Sequence, residues 1–154
     1  MISQRKRSQV ILFFSTGCYS GYLPLMPGTY GTMVGVCLYL LLSPFFSPLH
    51  YLIITGLLFI GGVWIAGLAE EILGRKDAEA IVIDEIVGFL VTMLFLPKRT
   101  TLIVLGFLLF RMFDIWKPFR RVEQLPGGAG VMLDDLLAAL CANLLLHFMV
   151  RAVG

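Results

Sequence analysis

The stretch Ile-Val-Ile-Asp-Glu-Ile-Val-Gly-Phe-Leu-Val-Thr-Met-Leu-Phe-Leu, residues 81–96, is apolar except for Asp84, Glu85 and one threonine. The adjacent carboxylates lie near the start of a run that is apolar enough to enter a lipid bilayer. A charged side chain in hydrocarbon costs from about 3 to more than 10 kcal/mol, so it persists only where another group pairs with it. The stretch therefore predicts a membrane helix that carries a functional site.

Three more carboxylates, Asp114, Asp134 and Asp135, lie inside or at the edge of other apolar segments. Of the 154 residues, 58% are hydrophobic and 14% are charged, and the mean hydropathy is +0.90. This composition excludes an ordinary soluble protein and predicts an all-α, polytopic membrane helical bundle with residues 1–154 in a single domain. The net charge of +2 is too small to indicate nucleic acid binding.

Proline and glycine divide the chain into six apolar segments. These are residues 10–26, 29–42, 49–69, 81–96, 100–116 and 131–150. Because the first segment is interrupted by glycines and prolines, we expect it to lie in the membrane interface or to re-enter the face it came from. The other segments predict about five spans.

Basic residues orient this arrangement. With five spans and a cytoplasmic N-terminus, most lysines and arginines fall on the cytoplasmic side, as the positive-inside rule requires. The same topology brings Thr29 and all five carboxylates toward the cytoplasmic face. The mixed-charge residues 70–79 are typical of a solvated cytoplasmic turn. Within this turn, Asp77 is close enough in sequence to Asp84 to support the site residues from outside the ligand contacts.

The residues around Asp114 form a charged stripe. Arg111, Asp114 and Lys117 are three residues apart, so a helix places them along one side as plus, minus, plus. Two glycine-containing turns, residues 27–32 and 127–130, precede predicted helices. Free backbone N–H groups and the positive end of a helix dipole suit an anion such as phosphate.

Carboxylates, cations and helix N-termini at one face predict an oxyanion held against a magnesium-like ion, because Mg²⁺ takes carboxylate, water and phosphate oxygens. Two other interpretations use the same residues. One is a proton or cation pathway through the membrane, and the other is a structural role in which the acids pair with Arg111 and Lys117. Spacing alone leaves the three open.

Four motifs occur in order along the chain: P-L-M-P-G-T-Y-G-T at 24–32, I-V-I-D-E-I-V-G at 81–88, F-R-M-F-D-I-W-K-P at 110–118 and G-G-A-G-V-M-L-D-D at 127–135. They resemble the motifs of the phosphatidylglycerophosphatase A family, and the resemblance runs from about residue 17 to about residue 140. It implies a multi-pass enzyme of the bacterial inner (cytoplasmic) membrane with its N-terminus and active site on the cytoplasmic side. Its phospholipid substrate would be phosphatidylglycerophosphate, hydrolysed with Mg²⁺ to phosphatidylglycerol and inorganic phosphate.

The resemblance also implies roles for individual residues. The predicted metal ligands are Asp84, Glu85, Asp134 and Asp135. The predicted phosphate-binding groups are the backbone at Gly28, Thr29, Arg111 and Lys117. The predicted catalytic set is Asp84, Glu85, Asp114, Arg111 and Lys117.

Two features of this assignment stay open at the level of sequence. Asp114 serves either to orient the two cations or to bind the metal, and phosphorus is attacked either by water or by a carboxylate that forms an aspartyl phosphate. The spacing of Gly31 and Gly35 is typical of close helix packing, either within the chain or in a homo-oligomer.

Overall fold

The fold consists of helices joined by short loops. A computed structural model of the protein describes residues 2–116 and 125–153. The helices are α1 (Ile2–Ser15), α2 (Pro27–Leu42), α3 (Pro48–Leu73), α4 (Ile83–Thr92), α5 (Thr100–Trp116) and α6 (Gly128–Val153), with a short 3-10 helix at Ser20–Tyr22. Within these described ranges there is no β-strand, which confirms the all-α prediction.

The shortest helix, α4, lies at the centre. It packs against α2, α3, α5 and α6, and every residue from Ile86 to Thr92 is buried. A helix that is apolar on all sides is stable only when other helices surround it. Ten residues reach about 15 Å, half the roughly 30 Å of a bilayer's hydrocarbon core. The α4 helix by itself is therefore shorter than a full span, whereas residues 81–96 were predicted as one.

Two helices among the described residues are long and apolar enough to span a membrane: Pro48–Leu73 and Gly128–Ala152. The α2 and α5 helices have 16 and 17 residues, at or below the lower end of the usual length. Membrane association is consistent with these lengths, whereas the number of about five spans stays a prediction.

The outward face of α3 is an apolar stripe. Ile53, Leu57, Ile60 and Trp64 recur at helical spacing and are all more than half exposed. A contiguous exposed apolar surface of this kind needs a nonaqueous neighbour. The stripe is therefore suited to lipid.

The N-terminal region differs in its boundaries from the predicted segment 10–26. The α1 helix begins at Ile2 and ends at Ser15, and Gly17, Cys18 and Tyr19 then have φ values of 54°, 56° and 67°. Three successive left-handed residues stop the helix, so the predicted interruption is present. The Val82 backbone N–H donates to the Ser15 carbonyl oxygen at 2.9 Å, which ties the end of α1 to the chain that enters α4.

Close contact between α2 and α4 depends on glycine. A Cβ added at Gly31 would stand 2.6 Å from the Val82 Cβ, and one added at Gly35 would stand 2.9 Å from the Ile86 carbonyl oxygen. The glycine spacing therefore serves packing within the chain. A homo-oligomer stays a prediction that this spacing no longer supports.

Candidate functional site

Charged residues from three helices meet at one end of the bundle. Asp84 and Glu85 lie in the first turn of α4, Arg111 and Asp114 near the end of α5, and Asp135 in the second turn of α6. The central position of α4 brings these helix ends together, because each flanking helix packs against it. The sequence predicted that these residues would share a face, and the structure places them around one cleft.

Three carboxylates form the core of this cluster. Asp84, Glu85 and Asp135 each contribute one oxygen atom, and the three atoms lie within 4.8 Å of one another. Asp84 and Asp135 are only 7% and 4% exposed. Three buried oxygens, Asp84 Oδ1, Glu85 Oε2 and Asp135 Oδ2, have no hydrogen-bond partner among the described residues. Buried like charges without partners are costly, so the arrangement calls for a positive ligand.

Gly88 permits the close approach of α4 to α5 and α6. A Cβ added there would stand 2.6 Å from Phe110 Cζ and 3.6 Å from Asp135 Cβ. Gly88 follows Asp84 by four residues and shares its side of the helix. The missing side chain therefore leaves room for the Phe110 ring beside the carboxylates of α4 and α6.

Arg111 supplies a positive charge next to the cluster. Its Nη1 donates to Asp114 Oδ2 and lies 3.7 Å from Glu85 Oε1. The Arg111 and Glu85 side chains are each 14% exposed, so water screens this pair only partly. Asp114 is also buried. The predicted charge stripe on α5 is thus present between Arg111 and Asp114.

The first turn of α2 lies against this arginine. A Cβ added at Gly28 would overlap Glu85 Oε1 and stand 2.8 Å from Arg111 Nη1. The backbone at Gly28 therefore lines the cleft directly. Thr29 is half-buried and is not among the residues that line the cleft.

Two adjoining cavities occupy the site. The larger is an open cleft of about 240 Å³, lined by Gly28, Glu85, Arg111 and Asp114 among others. The smaller measures about 20 Å³ and is lined by Lys76, Asp77, Asp84, Gly130, Val131, Asp134 and Asp135. The smaller volume is near the minimum for one water molecule, and hence for one small ion.

The predicted residues divide into four groups. Asp84, Glu85, Asp135, Arg111, Asp114 and Gly28 surround the cleft, and Asp134 lines the smaller cavity. Thr29 lies next to Gly28 but outside both linings. Lys117 lies outside the described residues.

Sequence reasoning underestimated the loop between α3 and α4. Lys76 and Asp77 line the smaller cavity, and Asp77 and Glu79 line the cleft. The sequence predicts a solvated turn for these residues, with Asp77 supporting the site residues from outside the ligand contacts. The position of Asp77 seven residues before Asp84 was the available signal.

The donor set fits a hard divalent cation. Mg²⁺ prefers carboxylate and water oxygens, and the cluster offers three carboxylates with buried oxygens that lack partners. The adjoining cavity has room for an ion-sized ligand. The residues present thus support a metal site.

Known proteins are similar to this chain over most of its length. A protein of Bacteroides thetaiotaomicron named "Putative phosphatidylinositol-3-phosphatase" is 35% identical over 92% of this chain and 94% of its own length. Proteins named Phosphatidylglycerophosphatase A from Haemophilus influenzae and Escherichia coli are 35% and 30% identical. These two matches cover 86% and 95% of this chain and 83% and 87% of the relatives. No solved structure matches.

The family model described as Phosphatidylglycerophosphatase A matches residues 13–150. That range contains the four motifs, and the motifs carry the carboxylates of α4 and α6, the Arg111–Asp114 pair and the glycine turn at α2. The residues that form the cleft therefore lie inside the matched region, and the chain belongs to the phosphatidylglycerophosphatase A family.

Proposed function

We propose that this protein is a membrane lipid phosphatase that hydrolyses the phosphate monoester of phosphatidylglycerophosphate, leaving phosphatidylglycerol and inorganic phosphate in phospholipid biosynthesis. The observation that carries the chemistry is the convergence of Asp84, Glu85 and Asp135 on one point beside Arg111. The family and the names of its relatives support the substrate.

The reaction requires strong electrostatic stabilisation. Phosphate monoesters hydrolyse extremely slowly in water, so the site must lower the barrier by many kcal/mol. Carboxylates alone would repel a phosphate dianion. We propose Mg²⁺ as the cofactor, held by Asp84, Glu85 and Asp135, with Asp134 at the adjoining cavity. A bound Mg²⁺ supplies positive charge to the phosphoryl oxygens and eases deprotonation of water.

The protein's own groups bind and orient the phosphate. The Arg111 guanidinium is a planar donor that can contact two phosphate oxygens at once. Asp114 accepts a hydrogen bond from it and so fixes the orientation of the donor plane. The backbone at Gly28 approaches Arg111 closely and limits where a phosphate oxygen can lie. We assign Asp114 to orienting Arg111 and Lys117 to a further phosphate contact, whereas Thr29 lies outside the cleft lining and is assigned no contact.

The membrane arrangement completes the proposal. The exposed apolar stripe of α3 and the length of α3 and α6 support insertion in the bilayer. We propose a multi-pass protein of about five spans in the bacterial cytoplasmic membrane. The basic loops support a cytoplasmic N-terminus and a cytoplasmic cleft. Such a cleft lies level with the headgroups, where a lipid phosphate would enter it.

An ion or proton pathway fits the site less well. A pathway needs polar groups along a whole crossing, whereas the acidic residues described at the site gather at one end of the bundle. The centre of α4 beyond Asp84 and Glu85 is apolar apart from Thr92, whose hydroxyl donates to the Gly88 carbonyl oxygen. The site therefore favours surface chemistry over transport.

A phosphate-release assay tests the function. Purified protein in detergent micelles is given phosphatidylglycerophosphate, phosphatidylinositol 3-phosphate or a water-soluble phosphate monoester, each with and without Mg²⁺. We expect Mg²⁺-dependent release from phosphatidylglycerophosphate in preference to the other two. Equal release from phosphatidylinositol 3-phosphate would overturn the substrate, and ion flux in sealed vesicles without phosphate release would support a transporter.

A further inference from the structure

The loop between α3 and α4 reaches the boundary between the two cavities. Among the described residues, only Asp77, Asp84 and Asp135 belong to the linings of both the ion-sized cavity and the cleft. Asp84 and Asp135 are buried and each has an oxygen without a partner, whereas Asp77 is exposed. Asp84 and Asp135 therefore form the buried side of this boundary, and Asp77 lies on its solvent-exposed side.

The backbone at Asp77 is held in an unusual conformation. Its φ is +47°, in the left-handed region that costs a residue other than glycine about 1 kcal/mol or more. Aspartate tolerates this region better than most residues, but a local contact is still needed to hold it. The Asp77 N–H supplies one, because it donates to Glu70 Oε1 at 2.7 Å.

Glu70 is well placed to fix the loop. It lies in the last turn of α3, is partly buried, and belongs to neither cavity lining. Within the loop, an ion pair joins Arg75 to Glu79 at 3.6 Å. Both side chains are strongly exposed, and exposed pairs contribute little. Glu70 therefore connects the loop to α3 at Asp77 itself.

From this geometry we propose that Asp77 is a further oxygen donor of the divalent-cation site and that Glu70 is a positioning residue that holds it there. The inference rests on the proposed function, since it concerns the same cation. Glu70 acts through the Asp77 backbone and does not touch the ion. Its role needs a hydrogen-bond acceptor at Oε1 and does not need a negative charge.

Direct cation binding tests the Asp77 part. Mn²⁺, a spectroscopic substitute for Mg²⁺, is titrated into the purified full chain, and free Mn²⁺ is measured by electron paramagnetic resonance. We expect Asp77→Asn to weaken Mn²⁺ binding at least tenfold. Asp77→Gly should weaken it equally, although glycine favours a positive φ and leaves the fold at least as stable. Affinity within twofold of wild type in both variants would overturn the assignment.

Paired substitutions test the Glu70 part. Glu70→Ala removes the acceptor and should weaken Mn²⁺ binding several-fold, whereas Glu70→Gln keeps an amide oxygen and should restore it. The matched control is Glu71→Gln, at an exposed neighbour that lines neither cavity. Wild-type affinity in Glu70→Ala, or equal losses in Glu70→Gln and Glu70→Ala, would overturn the positioning role.

The two proposals fail in different ways. A wild-type protein that neither binds Mn²⁺ nor releases phosphate from phosphatidylglycerophosphate would overturn the proposed function, and this inference with it. A wild-type protein that does both, with Asp77 variants that match it, would overturn this inference alone.

Discussion

Gly28 lies so close to Arg111 that a Cβ at position 28 would stand 2.8 Å from Arg111 Nη1 and 3.0 Å from Nη2. The same Cβ would overlap a Glu85 oxygen. The Arg111 side chain on α5 therefore leaves no room for a side chain at the start of α2, although the two helices are distant in sequence. A side chain at position 28 must displace the guanidinium from the position that Asp114 holds.

Gly28→Ala should lower phosphate release at least tenfold while the protein stays folded. Displacing a phosphate donor by even 1 Å can cost about a hundredfold in rate. The measurement is kcat and KM on phosphatidylglycerophosphate. Gly56→Ala on α3 is the matched control, because a Cβ there meets no atom within 4 Å. Equal activity in the two variants would show that the cleft tolerates the added methyl group.

Arg111 and Asp114 should act as one unit. Arg111→Lys keeps the charge but loses the planar donor, and we expect activity to fall about tenfold or more, since a hydrogen bond to a charged group contributes about 1.5–3 kcal/mol. Asp114→Asn should also lower activity, because the arginine loses its orientation. In a double-mutant cycle the two losses should not add, with a coupling energy of about 0.5–3 kcal/mol. Additive losses would mean that Asp114 acts independently of Arg111.

Removing the cation should destabilise the protein as well as inactivate it. Ligand bound to the folded state alone stabilises it by about 2.7 kcal/mol at a hundredfold excess over Kd. We therefore expect the Tm in detergent to rise on adding Mg²⁺ and to fall after chelation. In Asp84→Asn and Asp135→Asn this shift should be lost together with phosphate release. Glu71→Gln, at an exposed position outside both cavity linings, should keep it.

The carboxylates that converge on the ion should not themselves attack phosphorus. If Asp84, Glu85 and Asp135 all bind the cation, water is the nucleophile. Substrate labelled in its phosphate and quenched in acid during turnover should then leave no label on the protein. Label retained in wild type and lost in one Asp→Asn variant would instead indicate an aspartyl phosphate.

Gly88 should be needed for the packing of α4 against α5. A Cβ there would stand 2.6 Å and 2.7 Å from two ring atoms of Phe110, which is fully buried. Gly88→Ala should therefore cost about 1–3 kcal/mol of stability, the usual range for overpacking. A lower Tm in detergent would show this. Adding Phe110→Leu should recover part of the loss, and a further drop would contradict the contact.

Local helix geometry made part of the site predictable. Positions three apart share a face whatever the rest of the fold does, so the Arg111–Asp114 contact follows from the sequence. The composition and the positions of proline and glycine were enough to exclude an ordinary soluble domain and to predict the all-α class. The reason is that the transfer of each apolar segment into lipid depends on that segment alone. The glycine spacing of α2 likewise predicted close helix packing, but not which helix would provide the partner.

Packing between distant segments decided what could not be predicted. The burial of α4 depends on the four helices around it, so the segment predicted as a span contains a central helix of only 10 residues. The N-terminal helix starts at Ile2, well before the apolar segment, since charge along a helix does not prevent its hydrogen bonds from forming.

The sequence by itself determined that carboxylates and cations would lie at the ends of apolar helices, because hydropathy and the helical repeat are properties of each segment alone. Only the tertiary structure decided that Asp84, Glu85 and Asp135 share one point, that Gly28 shapes the position of Arg111, and that Asp77 reaches the boundary between the two cavities. These relationships depend on how closely α4 approaches its neighbours. Glycines allow this close approach, and whether a glycine is needed at a position depends on which residues of the neighbouring helix face it.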